Sequence, residues 1–107
     1  MTEAAAAVED TSRYASAHMA ALRAAAAVLA VRGRPYNRRG QRNAWVLLAT
    51  VAPELAEWAA FFAAGSAKRA AAEAGRARAV TMREADDLLR DAAQFVEVVE
   101  RCLERAP

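Results

Sequence analysis

Thr81-Met-Arg-Glu-Ala-Asp-Asp-Leu-Leu-Arg-Asp-Ala-Ala-Gln-Phe-Val-Glu-Val-Val-Glu-Arg-Cys-Leu-Glu104 is the stretch that decides the fold class. Ala85, Leu88, Ala92, Phe95, Val96, Val99, Cys102 and Leu103 recur every three or four residues, which lays one apolar stripe along a helix. Charged residues fill the remaining faces. Thr81 and Glu84 have the spacing of a capping box, in which each side chain satisfies the other's free backbone amide. The pattern predicts a helix from Met82 to about Glu104, fed by a basic connection that contains Gly75, Arg76 and Arg78.

Upstream, Pro53 suits the first position of a third helix carrying Leu55, Trp58, Phe61 and Phe62 toward a core. Phe61 and Phe62 are about 100° apart on a helix, so one of them is expected to face outward. Ala63, Ala64, Gly65, Ser66 and Ala67 remove bulk, which suits close helix approach or a mild kink, and the helix fades by Gly75. Before Pro53, a short second helix is expected from Ala44 to Val51 with Asn43 as its cap. Trp45, Val46, Leu47, Leu48 and Val51 make it apolar nearly all round and therefore largely buried.

The first helix reads Tyr14, His18, Leu22, Ala25 and Leu29 on one face, capped near Asp10, Thr11 or Ser12 and running to Val31. Residues 1–10 are an Ala-rich tail or an extension of that helix, and 11–107 form the helical domain. Gly33 to Gly40 is a loop by its turn residues.

Composition agrees with an all-α chain. Of 107 residues, 32 are alanine, the best helix former, and only 4 Gly and 3 Pro interrupt. The length fits one domain with a modest core. One Cys and one His exclude an intramolecular disulfide and Cys-cluster or His-pair metal sites. No metal or cofactor is expected. No apolar run is expected to reach the roughly 20 residues of a membrane span. The first ten residues hold Glu3, Glu9 and Asp10 but no Lys or Arg, unlike a signal peptide, so the cytoplasm is the expected location.

Four helices with short connections predict a four-helix up-and-down bundle with a short second helix. Alternating helices would put the first and third connections at one end. Those connections are the arginine-rich ones, with Arg32, Arg34, Arg38, Arg39 and Arg42 in the first and Arg76 and Arg78 in the second. No acid lies between Arg32 and Arg42. Together with Arg83 and two helix N-termini, they have the ingredients of an anion site for RNA, DNA or a nucleotide. Tyr36 adds a ring that could stack on a base. The plainer reading is a solvated loop whose arginines complement helix dipoles. The acids Glu84, Asp86, Asp87 and Asp91 read as a solvated face with an Asp86–Arg90 pair rather than a metal site. Cys102 reads as a small buried hydrophobe.

Trp45-Val-Leu-Leu-Ala-Thr-Val-Ala-Pro-Glu-Leu-Ala-Glu-Trp-Ala-Ala-Phe-Phe-Ala-Ala-Gly65 and the run Arg83 to Arg90 resemble the small stand-alone actinobacterial branch of the HEPN superfamily (higher eukaryotes and prokaryotes nucleotide-binding domains). The resemblance implies a HEPN-like helical bundle that forms homodimers. It also implies a place for an Arg-x4-6-His ribonuclease motif, near the start of the last core helix. In that motif the His supports acid–base or 2′-hydroxyl chemistry and the Arg holds the scissile phosphate. Five to seven positions beyond Arg76, Arg78 and Arg83 there is no His. An imidazole titrating near neutrality is hard to replace in metal-free RNA cleavage. The chain is therefore expected to be noncatalytic, a binding module for nucleic acid or nucleotide that uses Arg34, Arg38, Arg39, Arg42, Arg76, Arg78 and Arg83.

Two other functions fit the sequence. Arg13 and His18 have the motif's spacing but open the first helix, about 140° apart around its axis. They would serve a metal-independent, toxin-like endoribonuclease only by converging with their mates across a dimer. The third possibility is a structural adaptor that docks to another protein through an exposed Phe61 or Phe62.

Overall fold

The computed structural model describes residues 3–32, 41–74 and 80–105. Helix α1 spans Glu3–Val31 and α2 Gln41–Val51. A 3-10 turn at Pro53–Leu55 leads into α3, Ala56–Ala64. Then follow α4, Ser66–Glu73, and α5, Met82–Glu104. The described residues include no strand, and the all-α bundle expected from the alanine content and periodicity is the architecture found.

Helix α5 begins where its capping box sets it. The Thr81 hydroxyl accepts from the Glu84 amide at 3.1 Å, and the Glu84 carboxylate accepts from the Thr81 amide at 3.0 Å. Its stripe buries Ala85, Leu88, Ala92, Phe95 and Val99, while Val96, Cys102 and Leu103 are half-buried at the margin. The stripe of α1 buries Tyr14, His18, Leu22, Ala25 and Leu29. Among the described residues these two helices make the most extensive helix–helix contact. Arg13 meets Asp86, each near the start of its stripe, so the stripes run side by side in the same sense.

Helices α3 and α4 run the opposite way. Glu54, just ahead of α3, pairs with Arg32 at the C-terminal end of α1. Phe62 sits against His18 midway, and Lys68 in α4 pairs with Glu84 beside Tyr14. Helix α2 contributes Trp45 and Leu48 to the core. Trp45 stacks on Phe62 at 5.0 Å, and Phe95 approaches Phe62 at 5.1 Å, so residues from α2, α3 and α5 meet in one aromatic layer.

Several boundaries differ from the sequence expectation. Helix α1 starts well before Asp10, Thr11 and Ser12, which lie inside it and do not cap it. Alanines at 4 to 7 carry the helix on by propensity where no apolar stripe marked it. Asn43 is likewise inside α2, which begins at Gln41. Val46 is 64% exposed, so α2 buries one face and not its whole circumference. The single long third helix is broken at Gly65, whose amide bonds back to Phe62 O at 3.1 Å. A Cβ at Gly65 would stand 3.3 Å from the Tyr14 hydroxyl, so the absent side chain permits the close approach of α1. Of the adjacent phenylalanines, Phe62 is buried and Phe61 is 47% exposed.

By length and composition Val8–Val31 is apolar enough to cross a membrane, contrary to the expectation that no run would be. In the bundle, the large apolar side chains of that segment from Tyr14 to Leu29 pack into the core.

Candidate functional site

Arg13 and His18 are the one pair with ribonuclease-motif spacing, and the fold separates them. His18 is 1% exposed, among the most enclosed side chains of the core. Its Nε2 lies 3.2 Å from the carbonyl of Phe62. A carbonyl only accepts, so Nε2 carries the hydrogen. Trp45 and Phe62 meet the imidazole edge-on at 6.0 and 5.8 Å. Arg13 is on another face, where its guanidinium holds Asp10 at 3.1 Å and also pairs with Asp86. The hydrogen bond to Asp86 raises its pKa further, which fixes it as a cation clamping α1 to α5.

Of the seven arginines expected to meet phosphate, Arg34, Arg38, Arg39, Arg76 and Arg78 lie outside the described residues, as does the side chain of Arg42. Arg83 is described. Its side chain is 90% exposed on the first turn of α5, with Asp87 3.9 Å away. Arg32 donates to the carbonyl of Val51 at 2.9 Å and pairs with Glu54, pinning the end of α2 to the end of α1.

The first arginine-rich connection joins the C-terminal end of α1 to Gln41, one turn ahead of Trp45, which meets His18 midway along α1. It leaves from Arg32. The second re-enters at Val80 and Thr81, beside the Lys68–Glu84 pair and near Arg13 and Tyr14. Arg13 and Arg32 are about 28 Å apart along α1 at 1.5 Å rise per residue. Helix α2 does not alternate with α1: Trp45 lies by His18 and Val51 by Arg32, so the two run in the same sense.

Four acids of α5, Glu84, Asp86, Asp87 and Asp91, are engaged with cations. Glu84 bonds Lys68 and the Thr81 amide, and the Lys68 hydrogen bond is the main cause that lowers its pKa. Asp87 meets Arg90 at 3.4 Å and Asp91 meets Arg90 at 3.5 Å. Asp86 turns to Arg13 and not to Arg90, because Arg13 of α1 faces it across the interface. Cys102 is half-buried against the core.

Sequence reasoning missed one feature. A cleft of about 300 Å³ opens between the broken α3–α4 segment and α5, lined by Tyr14 and His18 of α1 together with Phe61, Lys68, Glu84 and Leu88. Its signal in the sequence is the small-residue run at 63–67, which suits close helix approach or a mild kink and does not by itself announce a cleft.

The described residues form an all-helical bundle whose last helix opens on the Thr81–Glu84 capping box. The family model of SAV_6107-like HEPN proteins matches residues 4–100. The chain belongs to the HEPN superfamily, in that family. No curated protein and no solved structure matches it.

Proposed function

We propose that this chain is a noncatalytic HEPN domain that associates with RNA or a nucleotide through the arginines of segments 34–42 and 76–83. The observation that carries the noncatalytic reading is the enclosure of His18, whose Nε2 hydrogen goes to a backbone carbonyl while Arg13 is held by two carboxylates on another face. A general base must reach the proton it takes, and a side chain that is 1% exposed offers a substrate almost no surface. The binding reading rests on charge. Five arginines from Arg32 to Arg42 with no intervening acid, and Arg76, Arg78 and Arg83 beyond, favour phosphate contacts that are sequence-blind and salt-dependent.

A salt titration of RNA and DNA binding tests this reading. We expect an affinity that falls steeply with salt, and a slope that shrinks when Arg38, Arg39 and Arg42 are replaced together by alanine. Absence of binding at low salt would reject it. A protein-docking role would then take its place, favoured by the exposure of Phe61 and Val46, which are 47% and 64% accessible. The same apolar positions suit a homodimer, which sedimentation of the wild type and of a Phe61→Glu variant would detect. RNA cleavage abolished by His18→Ala in a variant that stays folded would establish the ribonuclease alternative.

A further inference from the structure

A second cleft, of about 340 Å³, is lined by Glu57, Trp58 and Phe61 of α3 and by Asp91 of α5. Helix spacing explains the set. Glu57 and Phe61 stand one turn apart on α3, beside Trp58 and the core residue Phe62, also one turn apart. On α5, Asp91 precedes the core residue Phe95 by one turn. Trp58 packs inward on Phe62 and Phe95 at 6.1 and 5.5 Å but is only half-buried, and Phe61 is exposed. The charges beside these rings have one sign. Glu57 is exposed and pairs with no cation among the described residues. Asp91 is 24% exposed, and the cation beside it is its neighbour Arg90, at 3.5 Å. Arg90 also serves Asp87 and does not line the cleft. A carboxylate drawn out of water is costly unless a cation meets it.

We propose that this cleft receives an arginine side chain of a partner protein, its guanidinium lying against Trp58 and Phe61 and donating to Glu57 and Asp91. All four walls attract positive charge, the carboxylates by their own charge and the rings by the negative potential of their faces. The same charges turn a phosphate away, so the site is not a second phosphate site and does not depend on the arginine-rich segments of this chain. Among cations, a guanidinium fits both kinds of wall: it is flat, stacks on aromatic faces, and carries N–H donors around its edge for carboxylates. A quaternary ammonium could use the rings but has nothing to donate. The volume, at the lower end for ligand sites, suits one side chain.

The two tryptophans give the test its own control, since Trp58 lines the cleft and Trp45 is 3% exposed. In ¹H–¹⁵N titrations of the full chain at low salt, N-acetyl-argininamide should shift the indole N–H of Trp58 with a Kd of about 1–10 mM, as suits a single residue. The indole of Trp45 should stay in place. N-acetyl-citrullinamide has nearly the same shape without the charge and should bind about tenfold more weakly. Tetramethylammonium keeps the charge without N–H donors and should also bind more weakly than the arginine derivative. Glu57→Gln and Asp91→Asn preserve side-chain size, and each should weaken the arginine derivative about two- to fivefold. Lack of a Trp58 shift would overturn the site. Equal binding of the citrulline derivative would reduce the cleft to an apolar groove and overturn the role of charge. Equal binding of tetramethylammonium, or wild-type affinity in both carboxylate variants, would overturn the assignment to arginine.

Discussion

Neighbouring turns of α1 meet opposite surroundings. At His18 and Leu22 the helix faces an enclosed layer in which Trp45, Phe62 and Phe95 close on one another from three other helices. One turn earlier, at Arg13 and Tyr14, it faces carboxylates, an ammonium and an open cleft. The stripe of α1 is continuous through both, so the difference comes from the partner. Opposite the first region, α3 delivers a large ring at each turn. Opposite the second, the chain is alanine, glycine and serine, and the helix breaks. Bulk on the facing helix, and not the hydropathy of α1, decides which part is sealed and which remains accessible.

The largest expected effect tests the sealed region. Phe62→Ala would remove the ring that touches Trp45, Trp58, Phe95 and His18 together. A buried Phe truncated to Ala costs about 3–5 kcal/mol through lost transfer energy and the cavity left behind. For a domain of this size that is a large fraction of the total stability. Urea denaturation should show a midpoint collapse, and a shift below about 1 kcal/mol would mean that the aromatic layer is loosely packed.

Next is the contrast between His18→Ala and Arg13→Ala, which sets the two regions directly against each other. Removing His18 would open a cavity and leave the Phe62 carbonyl without its side-chain donor, a loss of roughly 2–3 kcal/mol. Arg13 makes its ion pairs at the surface, where such pairs contribute little. Its removal should leave the denaturation midpoint nearly unmoved. Equal effects would erase the distinction between a core imidazole and a surface clamp.

A smaller loss, about 1 kcal/mol, is expected for Thr81→Ala, which removes half of the capping box that starts α5. Thermal unfolding followed by circular dichroism would register it. An unchanged transition would mean that packing against α1, and not the cap, fixes where α5 begins.

These cases also mark what was readable in the sequence. Helix α5 was legible to its boundaries because cap, stripe and charge all pointed the same way. His18 was legible as core because Tyr14 and Leu22 bracket it on the stripe. The N-terminal extension of α1 was less so, since alanine carries propensity without a face. The meeting of Arg13 with Asp86 was not legible, because residues 73 apart are joined only by the packing of two helices. The same holds for the cleft: Ala63 to Ala67 says that bulk is missing but not whether a neighbouring helix fills the space.

The smallest predicted effect is a pH dependence that belongs to the open region alone. Glu84 joins Lys68 of α4 to the cap of α5, and its pKa is lowered in the folded state. A lowered pKa means that the unfolded chain takes up the proton first as pH falls, so stability present above the ordinary carboxylate pKa of about 4.5 is lost through and below it. Glu84→Gln keeps an acceptor for the Thr81 amide but has no charge to titrate. Its stability should therefore decline less between about pH 5 and 3 than that of the wild type. Glu54, whose pKa is lowered mainly by its hydrogen bond to Arg32, titrates in both proteins and cancels from the difference. Because the Lys68–Glu84 pair is part-exposed, added salt should narrow the gap between the two curves. Parallel curves at low salt would show that α4 and α5 are held together by packing alone, and the open region would then resemble the sealed one more closely than its charges suggest.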